Sequence, residues 1–171
     1  MKDELPKRTY DFSWCRWVAM FLPDTALLIR KLAGALRPQG IAMFHEYAQY
    51  STWRFCPALP LQEEFVRRAL ESWRATGAEP DIARDLSSLL IANGFQVRSV
   101  LPRLFCVGPD DPIWQWLATF IDSGLDRLQM LDLADGEFAA ELRRELAKRE
   151  REPASLVISP LILEIIAEKL V

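Results

Sequence analysis

The sequence has 171 residues, half of them apolar, with 24 acidic against 21 basic side chains and a net charge of −3. That is chain enough for one buried core, so a single domain over residues 1–171 is expected. The near balance of charge gives no reason to expect nucleic acid as a partner. No apolar run approaches the ~20 residues that span a bilayer, and the amino-terminal residues lack a signal-peptide core, so the expectation is a cytoplasmic protein with no membrane partner.

Residues 9–47 read as strand, helix, turn and strand. Thr9–Val18 is rich in aromatic residues and is expected to be a central, buried strand, although Ser13 and Arg16 are unusual inside one. Pro23-Asp24-Thr25 is an N-cap signal for a helix carrying Leu27, Leu28, Leu32 and Leu36. Arg37-Pro38-Gln39-Gly40 stops that helix, and Ile41–Tyr47 forms the second strand, parallel to the first. In residues 48–80 an aromatic and proline-punctuated loop precedes a helix near residues 62–75, with Phe65, Val66, Ala69, Leu70 and Trp73 on one stripe. Residues 81–107 read as a helix ended by Asn93-Gly94 and a strand over 95–107 that Pro102 bends. Residues 110–152 form a helical insertion of two or three helices, whose basic residues from Arg143 to Arg151 alternate with glutamates as on a solvated face. Periodicity alone leaves 160–169 open between helix and strand.

Three widely spaced cysteines, Cys15, Cys56 and Cys106, suit reduced thiols. The single histidine, His45, excludes a multi-histidine metal site, and no metal-ligand spacing is present.

The 9–47 unit resembles the second half of a class I S-adenosylmethionine (SAM)-dependent methyltransferase. Asp11 opens the first strand, and Leu36-Arg37-Pro38-Gln39-Gly40 matches that family's Leu-Lys/Arg-Pro-Gly-Gly turn, with Gln39 in place of a glycine. The family's cofactor-gripping half needs a glycine-rich loop and an acid for the ribose. Only nine residues precede Tyr10, none of them glycine, and the seven glycines of the chain are scattered singly. The resemblance therefore implies an α/β fold with a partial Rossmann-like methyltransferase sheet of about four strands, from the family's fourth strand onward. It favours an antiparallel final strand at 160–169 and a lid-like segment at 48–80.

Ligands in open parallel sheets bind beyond the carboxyl ends of the strands. Those ends are Trp14, Cys15, Arg16 and Trp17 on the first strand and His45, Glu46 and Tyr47 on the second. By resemblance, Trp14, Cys15 and Arg16 flank the methionine end of SAM, while His45, Glu46 and Tyr47 face the acceptor. In that role His45 and Glu46 are the catalytic candidates, because an imidazole beside a carboxylate can take a proton from an attacking group. Tyr47, Tyr50, Trp53 and Trp73 are the substrate-binding candidates. The residues also allow other roles: hydrogen bonding for packing at His45, an Arg16–Glu46 ion pair, a small buried hydrophobe at Cys15, and core packing for the aromatic side chains.

The resulting expectation is the carboxyl-terminal part of a SAM-dependent methyltransferase acting on a small-molecule acceptor, which neither binds SAM nor catalyses alone. The alternatives are a non-catalytic association module that keeps half the fold, and a small-ligand-binding protein with an aromatic pocket. The expected partner is either a second copy, met through the open edge of Thr9–Val18, or the missing upstream half.

Overall fold

The computed structural model describes residues 5–171. In chain order the elements are β1 (Tyr10–Arg16), α1 (Thr25–Ala35), β2 (Leu36–Gln49), β3 (Arg54–Cys56), α2 (Pro60–Arg74), α3 (Ala83–Ala92), β4 (Phe95–Arg103), β5 (Cys106–Val107), α4 (Pro112–Met130), α5 (Gly136–Glu150), β6 (Leu156–Ile158) and β7 (Leu161–Lys169). They fall into two compact units. One contains the chain up to Gln49, Gly77–Arg103 and Leu161–Val171; the other contains Tyr50–Thr76 and Leu104–Pro160. Among the described residues no helix is long and apolar enough to cross a membrane.

The first unit is a four-stranded mixed sheet in the order β1-β2-β7-β4. β1 and β2 are parallel, and β7 runs antiparallel to both β2 and β4. The α1 crossover begins where the sequence signals it, with Asp24 Oδ1 accepting from the Leu27 amide at 2.8 Å. The turn after α1 is part of β2. Tyr10 pairs with Leu36 and Phe12 with Ile41, so residues 37–40 bulge out of the ladder. Gln39 takes φ +66° there, and a Cβ on Gly40 would lie 2.9 Å from the Arg37 carbonyl oxygen. Arg37 ties the bulge back to β1 through two bonds to Asp11, at 2.7 and 2.8 Å. Both side chains are exposed, so this pair contributes ~1 kcal/mol at most.

Successive strand residues face opposite sides of a sheet. On β2, Ala42, Phe44, Glu46 and Ala48 are buried, while Met43 and His45 are only partly so. The buried side forms a core with Ile29, Leu36, Leu86, Leu90, Phe95, Ile165 and Ala167, which brings in α1 and α3. β1, expected to be central and buried, stands at the sheet's edge with Tyr10, Phe12 and Trp14 at 45, 53 and 57% exposure. Among the described residues it has one strand neighbour, so its aromatic residues have little to pack on.

The second unit pairs a three-stranded sheet, in the order β3-β6-β5, with α2, α4 and α5. Asp111 and Asp135 cap α4 and α5, accepting from the amides of Ile113 and Phe138. The expected strand over 95–107 divides between the units. Its first nine residues form β4, and Cys106–Val107 joins the other sheet as β5. Pro102 stays in register opposite Leu163, and the irregularity lies between Val97 and Ser99. An edge strand accepts proline because one side of its ladder needs no donor.

Gln39 holds a left-handed conformation that costs a residue with a side chain about 1–2 kcal/mol. Gln39→Gly should therefore stabilise the protein by about 1 kcal/mol, read as a higher urea midpoint with an unchanged slope.

Candidate functional site at the strand ends

Because β1 and β2 are parallel, their carboxyl ends lie together, with Arg16 opposite His45. Trp17 then leaves the strand with φ +54°, its amide donating to the His45 carbonyl at 3.0 Å. A left-handed backbone at a bulky residue marks local strain, of the kind that collects at ligand sites. The Trp17 ring stacks on Tyr47, with centroids 5.7 Å apart and planes within 1°, and the Arg16 guanidinium sits 4.0 Å from the centre of the Trp17 ring. Cation, indole and phenol thus form one stack at the strand ends.

Beneath the loop after Trp17 lies Glu46, a fully buried carboxyl group. Its Oε1 accepts from the Val18 and Ala19 amides, both at 2.9 Å, and from Cys15 Sγ at 3.4 Å. Its Oε2 has no partner among the described residues. Burial pushes the Glu46 carboxyl above its ordinary range, and the Ala19 and Val18 amides partly oppose that. Burial, reinforced by the Glu46 charge, raises the Cys15 thiol to about 12, so at neutral pH Cys15 is a donor and not a nucleophile. Tyr47 is likewise raised by burial and then by Glu46, and stays a phenol.

His45 and Glu46, the two catalytic candidates, are consecutive on a strand and project to opposite faces, so they cannot act together on one atom. His45 lies on the face that α1 and α3 leave uncovered. Its Nε2 is 3.0 Å from Glu164 Oε2 on β7, and Arg103 of β4 donates to Glu164 Oε1 at 3.0 Å. The Arg103 bond, with a smaller contribution from His45, holds Glu164 below the usual carboxylate range. Trp14 meets the His45 ring edge-on at 5.7 Å. The row Trp14, His45, Glu164, Arg103 therefore crosses all four strands. Of the three cofactor candidates, Trp14 lies on this open face, Cys15 is turned inward to Glu46, and Arg16 is exposed at the strand end. Arg16 is held by Trp17 and not by an ion pair with Glu46, whose Oε1 is bound by the two amides and Cys15.

In the second unit Tyr50, Trp53 and Trp73 are 2, 1 and 8% exposed and form a core cluster with Phe65 and Phe120. Tyr50 lies 5.3 Å from Trp73, and Trp53 lies 5.7 Å from Phe120, ring centre to ring centre. Beside Trp53 a shallow cavity of about 220 Å³ is walled by Arg54, Glu63 and Arg67. Among the described residues no three acidic, cysteine or histidine side chains are placed to hold a metal.

Sequence reasoning missed Glu164 and Arg103, the residues that orient His45. Glu164 is 119 residues away from it, so no local pattern links them. A glutamate and an arginine on strands could have been flagged only once β7 had been placed between β2 and β4.

Parallel strands whose carboxyl ends lie together, with an antiparallel strand wedged in, define a Rossmann-like α/β protein with part of a doubly wound sheet. The chain has the class I SAM-dependent methyltransferase fold, which solved structures of that kind share over nearly all of its length. A protein of Bacillus halodurans C-125 proposed to be a methyltransferase matches with TM-score 0.56 and 12% identity, over 99% of this chain and 74% of that one. A SAM-dependent methyltransferase of Methanosarcina mazei matches with TM-score 0.53 and 12% identity, over 99 and 64%. The YcgJ protein of Bacillus subtilis matches with TM-score 0.50 and 17% identity, over 98 and 67%. The chain thus spans about two thirds to three quarters of these proteins. No protein-family model and no curated protein sequence matches it.

Buried Glu46 is committed through Oε1 to the loop amides, and the glycines of the sequence stand singly, with no glycine-rich motif among them.

Removing the Glu46 carboxyl leaves two amides without their acceptor, so Glu46→Ala should cost about 2–4 kcal/mol in urea unfolding. The raised Glu46 group favours folding below the ordinary carboxylate range, and that contribution is lost as pH rises through its elevated folded value. Glu46→Gln should accordingly gain on the unmodified protein between pH 5 and pH 8, read from urea midpoints at both. In thiol titration with a disulfide reagent, exposed Cys106 should react promptly, and Cys15 only on unfolding.

Proposed function

We propose that these 171 residues are the acceptor-side half of a SAM-dependent methyltransferase acting on a small molecule, and that they neither hold SAM tightly nor transfer a methyl group unaided. The observation that carries this reading is the sheet order, in which an antiparallel β7 is wedged beside the parallel β1–β2 pair. It stands together with a sequence that lacks any glycine-rich loop. Residues outside this chain's strand ends would have to supply the cofactor half.

In this reading His45 is the acceptor-side base. An ionised Glu164 accepts from Nε2–H, which leaves Nδ1 free to take a proton. Arg16, exposed beside the Trp17–Tyr47 stack, is the cation available to an anionic ligand group. The three free cysteines agree with a reducing cytoplasm as the setting.

Isothermal titration with S-adenosylhomocysteine tests the reading. The expected result is no binding at a Kd of about 10 μM, roughly −7 kcal/mol, or tighter. Binding at or below that value would mean a complete site of another kind and would overturn it.

A further inference from the structure

The outer edge of β1 has a self-complementary pattern. The amides of Thr9 and Trp17 donate to the carbonyls of Ala35 and His45, at 2.8 and 3.0 Å. By the two-residue period of a strand, the odd-numbered residues between them turn their backbone groups toward β2. Tyr10, Phe12, Trp14 and Arg16 therefore turn theirs outward, on the edge where β1 has no strand neighbour among the described residues. The side chains of these same four are exposed and lie on the sheet's open face.

We infer that the occupant of this edge is a second copy of the chain, paired antiparallel through β1 about a two-fold axis at Ser13. In that register Phe12 faces Trp14 of the second copy, Tyr10 faces Arg16 of the second copy, and each pair exchanges two backbone hydrogen bonds. All seven residues of β1 are used. Aromatic pairs and an arginine over a tyrosine are among the favourable cross-strand contacts. Other registers are worse. An axis at Phe12 sets Arg16 opposite Arg8, like charge against like; an axis at Trp14 leaves Tyr10 opposite Val18, beyond the strand. Asp11 meets Cys15 in the favoured register, and its charge is already taken up by Arg37.

This pairing joins two four-stranded sheets into one and covers an edge that otherwise invites non-specific pairing. It does not depend on the methyltransferase reading. It would, however, occupy the edge where the resembling fold carries its cofactor half, so the two would compete.

Sedimentation of the unmodified chain should show a dimer at about 100 μM, above where a standard-sized interface dissociates. Phe12→Lys and Trp14→Lys should each weaken it at least about tenfold, while Arg149→Lys on α5 should leave it unchanged. Cross-linking tests the register without relying on the folding of those variants. In a Cys106→Ser background, Ser13→Cys places two thiols across the axis within disulfide reach and should give mostly covalent dimer on mild oxidation. Thr9→Cys faces Trp17 of the second copy and should give none. A compact monomer at about 100 μM, or no more cross-linking from Ser13→Cys than from Thr9→Cys, overturns the proposal.

Discussion

Everything in the first unit depends on one strand being paired along both edges. β7 bonds to β2 from Ile41 to Gln49 and to β4 from Phe95 to Arg103. Without it β4 has no ladder and β2 keeps only β1. Burial follows the same line, because Ile165 and Ala167 of β7 complete the core that α1 and α3 close. The orientation of His45 depends on β7 as well, since Glu164 belongs to that strand and Arg103 is carried by the strand on its far side.

The parts of this architecture that were legible in the sequence are those written locally. Asp24 before an apolar stripe and Asn93-Gly94 after one sit where their chemistry predicts, whereas Arg37-Pro38-Gln39-Gly40, read as a turn between helix and strand, is a bulge within β2. The identity of 160–169 was not legible from periodicity, because a short apolar run fits either element; the resemblance supplied the strand and its direction. The division of 95–107 was hidden for another reason. The same β-prone composition serves two sheets, and only the partners available at Arg103 and at Cys106 decide where one ends.

The candidate site was legible in place but not in grouping. Strand ends pick out Arg16, Trp17, His45, Glu46 and Tyr47 correctly as neighbours in the chain, yet the alternation of a strand deals them to two faces. Glu46 goes inward to fasten the loop at Val18 and Ala19, and His45 goes outward to Glu164. Likewise Tyr50, Trp53 and Trp73 read equally well as a pocket or as a core, and their burial against Phe65 and Phe120 makes them a core. In both cases what decides a residue's role is a contact made far away in sequence.

The chain passes between its two units at Gln49, Thr76, Arg103 and Pro160, so the first unit is assembled from three separate stretches. That arrangement sets an order of events. During synthesis the whole second unit leaves the ribosome before Leu161, while β2 and β4 wait with their inner edges bare. Pairings this distant in sequence close slowly, because loop entropy must be overcome before any contact rewards it. The second unit has a distant pairing of its own, Arg54 of β3 opposite Ile158 of β6, but its helices α2, α4 and α5 close their bonds locally and can form during that delay. The waiting strands β2, β3 and β4 cannot complete their ladders until β6 and β7 follow, and they are the nascent segments a holding chaperone would meet.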